Sequence, residues 1–492
     1  MKSASPVFSH LLPFRIFHLF PVLSFFLAAG AISGCGSGGT LPLPPATGQV
    51  TVLVSSTAND KLSQFNLGFT GITLTSQSGS TVNLLTGSQS AEFIHLNGSA
   101  EPLVTTSVPQ DVYTAATATI GPAQFTCVNL NSSGGLEVST FAYGATPSGQ
   151  ITVSVPTPIT ITSTTIGLSL DLVVSKSATY ATCDPTGVPS YSINPTFNLT
   201  PVTIASQPTN NGNGKETGLK GIVASIDTGK NTFTVTAADG PSWSVTSNGS
   251  TVYQGIGGLS GLATGMAVDM DAAIQSDGSL LATRVTAEDT NTANLSLSTG
   301  PLEFVASSVP VVNAFGREEQ GYLYATTKGS SSQPFSFDKA VFQTSGQLTN
   351  LGSLPFSASF NAANMVAGQN VSISSHALTR SSGPIYIPAA TLTLMPQTIN
   401  GTVSAISSAG NFTTYTVALA AYDLMPALSV QAGQTTLLQN PTSVVVYADS
   451  GTQTLNTVPI AVGSVLRFHG LLFNDGGTLR MDCAWVNNGV AE

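Results

Sequence analysis

At 492 residues, the chain is too long for one ordinary domain and allows about three or four. Hydrophobic residues make up 41%, enough to build real cores, but only 8% are charged, against about 25% in typical soluble domains. A net charge of −10 argues against nucleic acid, because phosphate binding needs clustered Lys and Arg.

Residues 1–34 read as a lipoprotein signal peptide. Lys2 and Arg15 supply a basic start, and the run from Leu19 to Ile32 is almost wholly apolar. That run is too short for a comfortable span of about 20 residues, although an uncleaved anchor helix is the alternative. It ends in Ile32-Ser33-Gly34-Cys35. This resembles a lipobox, in which small residues let an extended backbone enter a narrow protease site and the cysteine thiol accepts the lipid. The expected lipidation site is therefore Cys35, and two or more acyl chains meet the requirement for stable anchoring. Gly36 follows the cysteine, which by resemblance to lipoprotein sorting rules favours the outer membrane. Residues 35–47 then form a flexible Gly/Ser/Pro-rich tether.

The mature chain lacks sustained helical periodicity. Short alternating runs such as Gln150–Val155, Asn231–Thr236 and Thr442–Tyr447 dominate, punctuated by prolines and glycines, of which the full sequence has 28 and 48. The expected fold is all-β: an N-terminal β-sandwich over residues 48–204, then three small OB-like β-barrel modules. Within the sandwich, Ala91-Glu92-Phe93-Ile94-His95-Leu96 is followed by Val108-Pro109-Gln110-Asp111-Val112-Tyr113. This resembles the family called domain of unknown function 4382, with its leucine-ended strand, Pro-containing turn and tyrosine strand. The family's acidic turn is degenerate here, as Ser55-Ser56-Thr57-Ala58-Asn59-Asp60. Cys127 and Cys183 have no metal-ligand spacing, so an oxidising compartment implies a disulfide between them, worth roughly 4 kcal/mol.

Residues 205–218 are a polar linker. Beyond it lies a diverged repeat, with modules expected at 219–289, 297–397 and 398–488. Its register is Gly-x-x-Val/Leu: Gly265 leads to Val268, Gly368 to Val371 and Gly463 to Leu466. The strands after the next turn carry Ala282-x-x-Val285, Ala389-x-x-Leu392 and Cys483-x-x-Val486, which makes Cys483 a core residue rather than a reactive thiol. An earlier strand recurs as Gly221-Ile222-Val223 and Gly401-Thr402-Val403, with no clear middle version. The first copy resembles the family called domain of unknown function 5666, through those residues together with Phe233-Thr234-Val235, Gly265-Met266-Ala267-Val268 and Asp277-Gly278-Ser279-Leu280-Leu281-Ala282; the later copies do so more weakly. The resemblance implies a small closed barrel of OB type with about five strands per module.

No residue is assigned to catalysis, a metal or a cofactor. His95, His376 and His469 fall in different modules, and no H-E-x-x-H, G-x-S-x-G or Walker pattern occurs. The stretch Gly255–Gly265 reads as a barrel loop, Glu318-Glu319 as a solvated loop, and Asp227-x-Gly229-x-Asn231 as a hairpin turn rather than a calcium loop. Arg467 and His469 share one strand face and Arg480 and Asp482 another, so ion pairs form if the faces meet. Trp243 and Trp485 read as core. The expected role is a non-enzymatic envelope lipoprotein presenting β-modules for adhesion or for binding polysaccharide or protein ligands. The expected partners are membrane lipid through Cys35 and polysaccharide or an envelope protein, with no nucleic acid. Two alternatives are a carbohydrate-active hydrolase with an inter-module carboxylate site and a periplasmic assembly or transport accessory.

Overall fold

The computed structural model describes residues 45–57, 61–62, 64–96, 100–130, 136–142, 149–164, 166–180, 191–202, 215–237, 242–275, 280–306, 311–312, 318–319, 322–326, 332–346, 350–376, 387–429, 438–455 and 459–491. Its chain is nearly all β.

Alternation of Val, Leu, Ile and Phe with Thr and Ser builds the N-terminal domain from two large sheets and a separate pair of short strands. Its strands are β1 (Thr47–Ser56), β2 (Gln64–Ser76), β3 (Thr81–Glu92), β4 (Ala100–Pro109), β5 (Asp111–Leu130), β6 (Leu136–Ala142), β7 (Gln150–Val153), β8 (Ile159–Ile161), β9 (Ile166–Leu172), β10 (Ala178–Tyr180), β11 (Tyr191–Ile193) and β12 (Phe197–Val202). A single turn of helix, α1 (Val174–Ser177), precedes β10. One sheet runs β12-β9-β1-β4, and the other β3-β2-β5-β6 with β7 and β8 also on β5. Both pack over one core, where Phe69, Phe93 and Phe197 meet with ring centroids 5.6–6.2 Å apart. The Tyr113 hydroxyl donates to the Pro109 carbonyl at 2.9 Å, pinning the corner between β4 and β5. Thr47, expected at the end of the tether, already belongs to β1.

The first barrel comprises β13 (Lys215–Asp227), β14 (Thr232–Ala237), β15 (Ser242–Thr246), β16 (Val252–Gln254), β17 (Ala267–Ile274) and β18 (Leu280–Asp289). Residues 215–218, expected in the linker, thus open this barrel, with Lys215 and Glu216 facing Ala273 and Ala272 of β17. The second contains β19 (Leu295–Ala306), β20 (Val311–Val312), β21 (Glu318–Glu319), β22 (Tyr322–Thr326), β23 (Ser332–Ser336), β24 (Val341–Thr344), β25 (Asn370–His376) and β26 (Ile387–Leu394). The third contains β27 (Gln397–Ala409), β28 (Phe412–Leu419), the short helix α2 (Leu424–Ser429), β29 (Ser443–Ala448), β30 (Gln453–Thr454), β31 (Val465–Asp475) and β32 (Thr478–Asn488).

The three sheets share one wiring: β15-β14-β13-β17-β18-β16, β23-β22-β19-β25-β26-β24 and β29-β28-β27-β31-β32-β30. In each, the third strand of the path's sequence order closes the barrel by pairing parallel with the last, as β15–β18, β23–β26 and β29–β32. That is OB-type closure, with a short extra strand beside it where five strands in all were expected. Closure leaves little free edge for so many short strands.

The repeated glycine has a physical cause. Gly265, Gly368 and Gly463 have φ of 90°, 94° and 91° and occupy the third place of a four-residue turn, a position that demands positive φ. Each donates its N–H to the opening strand of its barrel, at Val223 (2.8 Å), Leu302 (2.7 Å) and Val403 (2.8 Å). Those acceptors sit at a β-bulge in all three barrels. The same alignment reveals the middle copy's version of the opening strand: Gly300-Pro301-Leu302, with Gly300 opposite Val371 as Gly221 is opposite Val268 and Gly401 opposite Leu466.

At Gly401 a Cβ would lie 2.2 Å from the Ala418 carbonyl oxygen, while at Gly463 it would meet nothing within 4 Å. Gly401→Ala is therefore expected to cost about 3 kcal/mol through overpacking, and Gly463→Ala only about 1 kcal/mol through its φ. Urea unfolding of the two variants checks the order; equal losses would contradict the packing argument.

Candidate functional site

The barrels are joined by buried contacts rather than strung on linkers. Strand β1 is buried on both faces: Val50, Val52 and Val54 enter the sandwich core, while Leu53 joins the first barrel's core. Ser242 at the start of β15 donates its N–H to Gln89 of the sandwich at 3.0 Å. Leu471 and Phe473 of β31 belong to the second barrel's apolar core, and Gln369 reaches across to the Leu472 carbonyl at 2.8 Å. Arg467, 1% exposed, donates from Nη1 to the Ile94 carbonyl of the sandwich at 3.3 Å. The contacts run from sandwich to first, second and third barrel and back to the sandwich.

The densest polar group lies between the first two barrels. Arg284 on β18 sits between two carboxylates of β17: Nε to Asp271 Oδ2 at 2.7 Å and Nη2 to Asp269 Oδ1 at 2.8 Å. Beside them, Lys220 of β13 is ion-paired with Glu288 of β18 and donates to Thr393 of β26 at 2.5 Å. The second barrel closes tightly over this group: a Cβ on Gly346 would lie 2.0 Å from Arg284 Nη2. Burial, then the Glu288 charge, pushes Asp269 up to about 6 against the opposing pull of Arg284 and the Ser345 hydroxyl. Burial works against the Arg284 charge, but its two carboxylates outweigh it and raise the guanidinium above its ordinary value. At the same seam His376 of β25 places Nδ1 2.9 Å from the Ala293 carbonyl and Nε2 3.0 Å from Asp289 Oδ2. Chemically, each of these carboxylates is held by a cation, an arrangement suited to joining modules.

Several sequence expectations meet their residues here. Cys127 is buried and disulfide-bonded, whereas Cys183 lies outside the described residues. Cys35, residues 1–44, the linker 205–214, the turns at 276–279 and 377–386, and the His95 side chain also lie outside them. Cys483 is buried in the third barrel's core, and burial pushes its thiol well up. Asp227 accepts from the N–H groups of Gly229 and Lys230 at 3.1 Å each, which makes a turn of the faint calcium motif. Glu318-Glu319 pairs with Val311–Val312 as β21, where a loop was expected. Trp243 is core, but Trp485 is half-buried and stacked on His469 at 4.8 Å and 9°. The two charged pairs of the third barrel share one sheet face, with Asp482 opposite Leu471. The β31–β32 register sets Arg467 opposite Asn487 and Arg480 opposite Phe473. Arg480 instead binds Asp475 at 2.9 Å and lies over the Phe356 and Tyr447 rings. The Lys220–Glu288–Thr393 and Arg467 contacts escaped the sequence reading, because nothing local marks partners so distant in the chain.

With this geometry in view, the comparisons with known proteins locate one module. The family described as Domain of unknown function (DUF5666) matches residues 220–286. That span runs from Lys220 into β18, the first barrel. No curated protein matches. Among solved structures, the chain is similar to drosophila Unr CSD456, at 12% identity over 54% of this chain and 94% of that one, with a TM-score of 0.13. It is also similar to a deletion mutant of the single-stranded DNA binding protein from Thermus aquaticus, at 12% identity over 40% and 95%, with a TM-score of 0.14. The exclusion of nucleic acid drawn from net charge does not stand, because that charge sums over the whole chain and says nothing of a local surface. Scores this low carry no partner across. No partner of any class is established. No helix among the described residues is long and apolar enough to cross a membrane.

Proposed function

We propose that the protein is a non-enzymatic scaffold of the bacterial cell envelope: a lipoprotein cut before Cys35, acylated on that residue, and holding a fused β body at the outer membrane. The circuit of buried contacts between the sandwich and the three barrels carries the scaffold reading. Polar side chains that an enzyme would aim at substrate are instead spent on seams, where Asp269 and Asp271 face Arg284 and Glu288 faces Lys220. The N-terminal targeting pattern supports the location, and the sandwich, which resembles the family called domain of unknown function 4382, follows that pattern in the chain. The disulfide between Cys127 and Cys183 belongs to the same extracytoplasmic reading.

Mass spectrometry of the mature N-terminus tests it. The expected product begins at a diacylglyceryl-modified Cys35 and sediments with membranes, while Cys35→Ser leaves an unacylated precursor. A native chain beginning at Met1, or carrying an unmodified Cys35, would refute the placement.

A further inference from the structure

The seam between the first and second barrels holds more acid than base. Among the described residues, Asp269, Asp271 and Glu288 face the cations Lys220 and Arg284, with the Thr393, Ser345 and Gln343 side chains of the second barrel supplying neutral polar groups. Asp269 is 1% exposed, and its Oδ2 is buried without a hydrogen bond while the Ser345 hydroxyl stands close by. An extra proton on Oδ2 balances the charge count and gives that oxygen a hydrogen to donate. The second contact across the seam has the same requirement. Both ring nitrogens of His376 face acceptors, the Ala293 carbonyl and the Asp289 carboxylate, so both bonds form together only on the imidazolium. Asp289 also accepts from Ser374 at 3.4 Å.

We propose that this seam is a proton-operated latch, closed when Asp269 and His376 both carry their protons and loosened when the surroundings turn alkaline. The contributions add. Asp269 loses its proton as pH rises through about 6, which leaves three carboxylates against two cations in a dry interface. His376, raised by the Ala293 carbonyl and Asp289 against the opposing effect of burial, then gives up one of its two bonds. The joints made by Leu53 in the first barrel and by Leu471 and Phe473 in the second are apolar, whereas the joint of the third barrel to the sandwich holds Arg467, with the buried Asp423 near it. Opening begins at this seam, where two proton-dependent contacts lie together, and the device goes beyond the scaffold role because it makes that joint respond to the medium.

Hydrogen exchange of the full chain at pH 5.5, 6.5 and 7.5, corrected for the chemical exchange rate, tests the latch. Peptides covering Leu280–Asp289 and Asn370–His376 are expected to lose protection at least tenfold between pH 5.5 and 7.5, while Gln64–Ser76 of the sandwich, which carries no titratable side chain, stays constant. Asp269→Asn, a permanent mimic of the protonated acid, is expected to keep most of that protection at pH 7.5. His376→Gln is expected to lower it already at pH 5.5, and it serves as the test should the first variant not fold. Seam protection that is flat with pH, a fall shared equally by the sandwich peptide, or a His376→Gln variant matching the parent at every pH would overturn the proposal.

Discussion

Replacing Arg467 by Ala is expected to destabilise the protein by about 3–5 kcal/mol, the cost of breaking a buried charged contact from one side. The guanidinium lies on β31, is enclosed between the third barrel and the sandwich, and donates to the Ile94 carbonyl. It also helps to hold the buried Asp423 carboxylate, whose two oxygens accept from the Asn400 and Met425 N–H groups. Loss of the arginine leaves that carboxylate without its nearby cation in a dry site. Arg467→Met, similar in length and apolar, is expected to cost less, because it keeps the packing and removes only the charge. Urea denaturation of both variants beside the parent checks this. An alanine variant within about 0.5 kcal/mol of the parent, as for an ordinary surface change, would show that the joint to the sandwich contributes nothing.

The second large effect is on pH. Burial lifts both Asp269 and Asp423 to about 6 from an ordinary 3.8. A raised carboxylate pKa means that the folded state holds the proton more tightly than the unfolded one. The stabilisation is therefore complete below 3.8 and is lost as pH rises through about 6. Lowering pH from 7.5 to 5 recovers roughly 1 kcal/mol at each site. Asp171, raised by burial, and His376, raised by its two acceptors, act in the same direction. The urea midpoint is thus expected to be higher at pH 5 than at pH 7.5, and the Asp269→Asn/Asp423→Asn double variant should flatten the dependence. A midpoint that falls on acidification would contradict the assignment.

How far the sequence reveals this protein depends on the range of each interaction. The Gly-x-x-Val/Leu register at Gly265, Gly368 and Gly463 is legible because one four-residue turn dictates it. The middle copy's Gly300-Pro301-Leu302 is hidden because a proline occupies a position where strands rarely tolerate one, so the run does not read as a strand. Alternating Thr and Val announce the β class, and Cys483 betrays its burial by standing where another copy has alanine. The seam is opaque for a different reason. Lys220 and Thr393 are 173 positions apart, and each looks alone like an ordinary strand residue. Trp485 shows the same limit, since strand periodicity assigns a face but not what covers it.

The lending of Leu471 and Phe473 to the second barrel has a bearing on how this chain can be cut. The repeat boundary near residue 397 marks a copy, not a unit that stands by itself. A fragment ending there would strip two large side chains from a neighbour's interior and bare the surface they filled. The second and third copies therefore share an interior, and neither is complete without the other.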